Sequence, residues 1–140
     1  MNVYIRQNNN DLLKYLSEKE VKELELKSQK VEQSPDEEIK IVTGNVNIIE
    51  RGIVNILSPK TGRIVMTLSE GEVFGEEKLF QNEWSLFYKT ETQTVFIKYE
   101  LDFAVISKSN KIKAKLHAAI NDSLAEKLMR LTQDSVRTNK

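Results

Sequence analysis

The 140-residue chain contains no cysteine and a single histidine, His117. Without cysteine there is no disulfide framework, no thiolate metal site and no cysteine nucleophile, and one histidine cannot build a multi-histidine metal cage. No second ligand or base accompanies His117, so an ordinary surface or interface role is expected for it. The chain also lacks a G-x-S-x-G element and a P-loop. We therefore expect no enzymatic activity, no catalytic residue and no metal site.

A surplus of charge of one sign is also missing. The chain has 21 Lys and Arg residues against 21 Asp and Glu residues, a formal net charge of zero. Because phosphate binding needs a surplus of basic side chains, we expect no direct binding to nucleic acid. No apolar run approaches the ~20 residues of a membrane span, and Met1–Asn10 lacks the apolar stretch of a signal peptide. These absences predict a cytoplasmic protein without a membrane segment.

The residues that are present divide a single predicted domain, residues 1–140, into three zones. In the first zone, residues 1–27, leucines at helical spacing are followed by the sequence Ser17-Glu18-Lys19-Glu20. This sequence matches a capping box, in which Ser17 is the N-cap and Glu20 reaches back to its amide. We predict two short helices joined by a turn, the first capped by Asn10 or Asp11.

The second zone, residues 28–106, carries short apolar stretches at close intervals. Turn sequences such as Arg51-Gly52 and Ser58-Pro59-Lys60-Thr61-Gly62 separate many of them. Many short strands with regular turns are typical of an all-β sandwich or barrel rather than a βαβ array. The predicted strands cover residues 39–42, 46–49, 53–57, 64–68, 86–88 and 94–97.

The third zone, residues 109–137, returns to helical periodicity. Its apolar residues recur every three or four positions, which draws one stripe along a helix of about seven turns. A helix of that length is too long to bury its whole stripe against a small barrel, so we predict a two-fold homodimer through it. The alternative is a helix folded back across its own barrel. The predicted interface residues are Leu116, Ile120, Leu124, Leu128 and Leu131.

The segment Gly62–Phe80 carries a recognisable motif, Gly71-Glu72-Val73-Phe74-Gly75-Glu76. With the upstream strand Gly52-Ile53-Val54 it resembles the cyclic-nucleotide-binding domain family, shared by catabolite-activator-type regulators and kinase regulatory subunits. The resemblance implies a mainly β fold with flanking helices: a jelly-roll, or double-stranded β-helix, barrel with short N-terminal helices and a long C-terminal helix. It also implies that Gly75 lets the backbone approach an anionic cyclic phosphate, and that Glu76 accepts a ribose hydroxyl. Glu76 capping its own helix is the alternative.

The chain departs from the family where an arginine would pair with the phosphate. Trp84-Ser85 stands at the family's Arg-Ser position. A missing guanidinium costs about 1.5–3 kcal/mol for each hydrogen bond it would make to a charged group. Lys78 or Lys89 could supply a positive charge, although without the planar fork of arginine. The candidate ligand-binding residues are Phe74, Gly75, Glu76, Lys78, Trp84, Ser85, Lys89 and Thr132.

These observations favour a regulatory cyclic-nucleotide-binding-like module. We expect it to be a homodimer through its C-terminal helix, to have weakened or lost cyclic nucleotide binding, and to act through a protein effector. The alternative is a functional cAMP or cGMP sensor in which Lys78 or Lys89 replaces the arginine. No cofactor is expected, and a cyclic nucleotide is the candidate ligand. Because the sequence stops at Lys140, directly after the predicted helix, no DNA-binding domain is expected.

Overall fold

The computed structural model describes residues 10–26, 28–42, 45–75, 86–100 and 110–138. For residues 100, 110, 111, 113 and 132–138 the description is limited to the backbone. The elements in chain order are α1 (Glu18–Glu25), β1 (Ser28–Gln33), β2 (Glu38–Ile39), β3 (Asn45–Arg51), β4 (Val54–Leu57), β5 (Ile64–Leu68), β6 (Val73–Phe74), β7 (Phe87–Thr90), β8 (Thr94–Glu100) and α2 (Asn110–Thr138).

The strands of the described residues form two four-stranded sheets, ordered β1-β8-β3-β6 and β2-β7-β4-β5. Neighbouring strands are antiparallel, with Phe96 of β8 opposite both Val31 and Ile49 in the first sheet. In the second sheet Ile56 of β4 lies opposite both Met66 and Tyr88. Two facing antiparallel sheets joined by long connections define a jelly-roll. The predicted fold class is therefore confirmed.

Two apolar clusters hold this architecture together. The barrel core lies between the sheets and consists of Ile39, Ile49, Val54, Ile56, Met66, Leu68, Phe74, Tyr88 and Phe96. The helical core lies where α1, α2 and the N-terminal segment pack on the other face of the first sheet. It consists of Leu12, Leu13, Leu16, Val21, Leu24, Val46, Ile48, Val73, Ile97, Tyr99, Ile112, Leu116 and Ile120. In β3, Val46 and Ile48 belong to the helical core and Ile49 belongs to the barrel core, as the two-residue repeat of a strand requires.

Of the two helices predicted in the N-terminal zone, the second forms and the first does not. Ser17 and Glu20 form both hydrogen bonds of the capping box at the start of α1. Residues 11–16 form turns instead of a regular helix. The Asn10 side chain accepts hydrogen bonds from the amides of Leu12 and Leu13 at 2.9 and 3.0 Å. Three leucines still enter the helical core because turns give a spacing close to that of a helix.

The strand prediction missed β1 and β6 and made one strand too long. β1 has a single apolar residue, Val31, in six positions and lies at the edge of its sheet, so its sequence shows no clear alternation. β6 has only two residues, too few for any periodicity. The strand predicted over residues 39–42 ends at Ile39. Within the described residues, neither helix has the length and apolar character that crossing a membrane requires.

Candidate functional site

Phe74 is the last residue of β6 and Gly75 is the residue after it. The centroid of the Phe74 ring lies 5.6 Å from that of Tyr88 and 5.3 Å from that of Phe96. This aromatic packing fixes the end of the strand. Gly75 follows with φ at +86°. A Cβ atom at Gly75 would lie 3.0 Å from Asn47 Nδ2 and 3.1 Å from Ile41 Cγ2. Glycine is therefore required here both for its backbone conformation and for the space beside it.

Asn47 is the polar side chain next to Gly75 that the sequence analysis missed. It lies on β3 with 2% of its surface exposed. Its Nδ2 donates a hydrogen bond to the Phe74 carbonyl at 3.3 Å, and its Oδ1 finds no partner within the described residues. Because a carbonyl can only accept, the amide nitrogen must face it, and the unpaired atom is the oxygen. The sequence signal is a lone polar residue inside the apolar run Val46–Ile49.

The turn before β6 is held by main-chain hydrogen bonds from two directions. The Gly71 amide donates to the Ile49 carbonyl at 2.8 Å, and the Ile49 amide donates to the Glu72 carbonyl at 3.1 Å. On the other side the Asp11 amide donates to the Gly71 carbonyl at 3.0 Å. The Glu72 carboxylate accepts from the Ser69 amide at 2.7 Å. These contacts fix the position of the turn against β3 and the N-terminal segment.

Lys89 lies on the side of β7 that faces away from the barrel core. Its neighbour Tyr88 is buried in the barrel core, so Lys89 lies on the opposite, outer face of β7. There its ammonium group lies 2.9 Å from Asp36 Oδ1 in an exposed ion pair. Whether Lys89 substitutes for the missing arginine stays a prediction, and this ion pair is a contact that a ligand would have to compete with.

The remaining candidate ligand contacts fall outside what the structure describes. Glu76, Lys78, Trp84 and Ser85 all lie outside the described residues. Thr132 belongs to α2, which is described by its backbone alone at that position. Among the described residues, no group of three or more histidine, cysteine, aspartate or glutamate side chains is placed to hold a metal ion. The described part of the candidate site therefore consists of Phe74, Gly75, Asn47 and Ile41.

The apolar stripe of α2 has two different environments. Leu116 and Ile120 are fully buried in the helical core of their own chain. Leu124 is partly buried against the same cluster. Leu128 and Leu131 are 66% and 40% exposed, and Met129 beside them is 63% exposed. Of the predicted interface residues, Leu116 and Ile120 are therefore covered by their own chain, whereas Leu128 and Leu131 are exposed further along the helix.

Charged contacts tie α2 to the rest of the chain along its length. Near its start, Lys115 binds Glu20 at 2.7 Å, and the resulting hydrogen bond, with those from Ser17, lowers the pKa of Glu20. In the middle, Asp122 binds Lys14 at 3.3 Å and accepts a hydrogen bond from the Tyr15 hydroxyl. Farther along, Lys127 donates a hydrogen bond to the Val73 carbonyl of β6, and Arg130 binds the Glu72 carboxylate in the turn before β6. The helix is thus fixed at three separate places.

Comparison with known proteins identifies the fold. No family model matches the chain, and no curated protein matches it. Several solved structures match the chain. A cyclic nucleotide-binding domain from Methylobacillus flagellatus matches with a TM-score of 0.79 and 15% identity, over 95% of this chain and 85% of that one. The N-terminal domain of a transcriptional regulator from Streptomyces coelicolor matches with a TM-score of 0.68 and 16% identity, over 86% of this chain and 93% of that one.

A third similar structure comes from a kinase regulatory subunit. It is a triple mutant of the regulatory subunit of a cAMP-independent protein kinase A from Trypanosoma brucei, bound to cAMP in its A site. It matches with a TM-score of 0.69 and 16% identity, over 98% of this chain and 50% of that one. At such identities the matches show the fold alone. The chain has the jelly-roll fold of cyclic-nucleotide-binding domains, as its sequence motif predicts.

Proposed function

We propose that this chain is a regulatory cyclic-nucleotide-binding-like module whose affinity for cyclic nucleotides is weakened or lost. We further propose that it forms a homodimer through α2 and acts in the cytoplasm on a protein effector, without enzymatic activity. The observation that carries the proposal is the likeness of the fold to a cyclic nucleotide-binding domain. The sequence motif Gly71–Gly75 supports it, and the family resemblance implies that Trp84 stands where the phosphate-binding arginine would be.

The loss of the arginine determines the expected affinity. A bidentate arginine–phosphate pair makes two charge-assisted hydrogen bonds, so losing it costs about 3 kcal/mol at the lower end of the range. That energy corresponds to roughly a hundredfold weaker binding. Lys89 already pairs with Asp36 on the outer face of β7, and Asn47 beside Gly75 is uncharged. A neutral amide does not replace a guanidinium opposite a phosphate.

The Trypanosoma brucei structure supports the reasoning by analogy. Its natural protein is cAMP-independent, and the form that holds cAMP carries three substitutions, one of which introduces an arginine in place of a threonine. In that protein, therefore, a cyclic-nucleotide-binding fold exists without cAMP dependence, and the form with an added arginine binds cAMP. By analogy, we expect Trp84 at the arginine position to weaken cAMP binding by this chain, and we expect an arginine there to increase it.

Calorimetric titration with cAMP and cGMP tests the proposal on the natural chain and on Trp84→Arg. We expect no saturable heat at micromolar concentrations with the natural chain and measurable binding with Trp84→Arg. Trp84→Leu, which removes the ring without adding charge, is the matched control and should not bind. Micromolar binding by the natural chain would refute the proposal and favour the alternative sensor, in which Lys78 supplies the charge. In that case Lys78→Gln should abolish the binding.

The dimer part of the proposal is supported by the exposed apolar face of α2. We define the distal face as Leu128 and Leu131, which lie three residues apart on one side of α2 and are exposed in the single chain. Burying such residues against a second copy of the helix removes apolar surface from water. Light scattering of the natural chain should give about twice the 16.2 kDa of one chain. A mass of one chain at micromolar to millimolar concentration would contradict the dimer.

A further inference from the structure

Three polar side chains lie side by side on the face of the first sheet that borders the barrel core. Lys98 of β8 is directly opposite both Gln29 of β1 and Asn47 of β3. Phe96, two residues before Lys98, belongs to the barrel core, whereas Ile97 belongs to the helical core. Because successive residues of a strand point to opposite faces and opposite residues share a face, all three polar residues lie on the barrel side. We call Gln29, Lys98 and Asn47 the polar row.

The polar row extends from the surface of the protein into its interior. Gln29 is exposed, Lys98 is half-buried, and Asn47 has 2% of its surface exposed. The residue opposite Asn47 on its other side is Phe74 of β6, and Gly75 follows Phe74 in the chain. Burying a polar group costs free energy unless it has a hydrogen-bond partner. The fold therefore places polar groups beside Gly75 where apolar residues would stabilise the barrel more.

Two groups of the polar row have no partner within the described residues. Asn47 Nδ2 donates to the Phe74 carbonyl, but the buried Asn47 Oδ1 accepts no hydrogen bond. The Lys98 ammonium group takes part in no ion pair or hydrogen bond with any described residue. A buried oxygen is stabilised by a donor, and a half-buried ammonium group by a negative charge. Because Cβ atoms of directly opposite residues lie about 5 Å apart, one small molecule can contact both groups.

We propose that Lys98 and Asn47 bind a small anion that carries its own hydrogen-bond donor, of which hydrogen phosphate is the simplest example. The negative oxygens of the anion accept from the Lys98 ammonium group, and its O–H group donates to Asn47 Oδ1. A cyclic phosphodiester carries a negative charge but no O–H group on phosphorus, so its phosphate satisfies only Lys98. The inference rests on the proposed function, because it assigns a ligand chemistry to a barrel whose affinity for cyclic nucleotides is weakened.

The same chemistry predicts that the site prefers phosphate to sulfate. The two ions are similar in size and shape, but at neutral pH sulfate carries no O–H group. Bound sulfate therefore leaves Asn47 Oδ1 without a donor and places a second acceptor oxygen beside it. Leaving a buried acceptor unpaired weakens binding about tenfold or more. We expect the dissociation constant for sulfate to exceed that for phosphate by at least this factor.

Calorimetric titration with inorganic phosphate and with sulfate, at pH 7 and constant ionic strength, tests the site. The natural chain should bind phosphate saturably, with a dissociation constant of about 1 mM or lower. Lys98→Gln removes the charge and should weaken phosphate binding about tenfold or more, whereas Lys98→Arg should retain it. Lys30→Gln is the matched control because it removes one positive charge from the opposite face of the same sheet, where Lys30 pairs with Glu50 at 3.2 Å. It should bind phosphate as the natural chain does.

Asn47→Leu tests the acceptor separately from the charge. Leucine has a similar volume and no oxygen, so this variant should bind phosphate and sulfate with equal affinity. Because it also loses the hydrogen bond to the Phe74 carbonyl, urea unfolding establishes that the variant is folded. If it is not, the two ions and the lysine variants decide the question without it.

Three results would overturn the inference. They are the absence of saturable phosphate binding by the natural chain, equal affinities of the natural chain for phosphate and sulfate, and equal losses in Lys98→Gln and Lys30→Gln. The titration with cAMP judges the proposed function separately. Micromolar binding of cAMP would refute the weakened affinity for cyclic nucleotides, and the contrast between phosphate and sulfate would still decide whether Lys98 and Asn47 bind an anion that carries a donor.

Discussion

Replacing Leu116 by alanine separates the two roles that the α2 stripe can have. Leu116 is 0% exposed and packs in the helical core against leucines of the N-terminal segment. Burial of a leucine side chain contributes about 1.5–3 kcal/mol, and a cavity left by its truncation adds to the loss, so Leu→Ala at such a site costs about 2–5 kcal/mol. Against a total stability of about 5–15 kcal/mol for a domain, the variant should remain folded but be clearly weakened.

Urea unfolding followed by circular dichroism measures this loss, and Leu128→Ala is the matched control. Leu128 is 66% exposed, so its truncation should change the free energy of unfolding of the single chain by only about 0.5 kcal/mol. Because dimerisation makes stability depend on concentration, both variants are compared at several protein concentrations. Light scattering should show the mass changing in Leu128→Asp and not in Leu116→Ala. A loss below about 1 kcal/mol in Leu116→Ala, together with a halved mass, would refute the assignment of Leu116 to the helical core.

Two further predictions concern the framework around the site. Gly52 has φ at +114° and a Cβ there would lie 2.6 Å from Thr94 Oγ1, so Gly52→Ala should cost about 1–3 kcal/mol or more in urea unfolding. Gly62→Ala, at φ +72° in open space, should cost less, and equal losses would contradict this reasoning. Burial, with the Glu126 and Glu72 carboxylates, raises the pKa of Asp11, so Asp11→Asn should be more stable than the natural chain at pH 7. That advantage should shrink as pH falls through the raised pKa, because the natural carboxyl group is then neutral in the folded state; an advantage independent of pH would contradict it.

Local sequence signals predicted the parts of the fold that depend on neighbouring residues. The capping box at Ser17 was identified because both of its hydrogen bonds connect residues three apart. The strands β3, β4, β5, β7 and β8 were identified because each contains a short apolar stretch and turn sequences separate many of these stretches. β1 was missed because a nearly polar edge strand is specified by its pairing with β8, which sequence periodicity does not contain.

The candidate site was harder to predict because its chemistry depends on which face of a strand a residue occupies. Lys89 was predicted to be a site residue from its charge, whereas Asn47 was missed. Lys89 has the right charge for a phosphate, but its register beside Tyr88 turns it towards Asp36. Asn47 is an inconspicuous polar residue in an apolar run, and only the pairing of β3 with β6 brings its amide to the Phe74 carbonyl. Residue type suggested the chemistry, and strand register decided it.

The same limit applies to α2, and it has a consequence for how the module works. A continuous apolar stripe indicates that one face of a helix is covered, but it does not say by what. In this chain Leu116 is buried in the helical core, whereas Leu128, about three turns further along the helix, is exposed. Beyond Leu124, within the part of α2 whose side chains are described, Lys127 binds the Val73 carbonyl and Arg130 binds Glu72 and Glu126. Charged contacts of partly exposed groups are weaker than core packing and depend on salt. Among the described side chains of α2, we therefore expect the contacts of Lys127 and Arg130 to be broken at a lower energetic cost than the packing of Leu116 and Ile120.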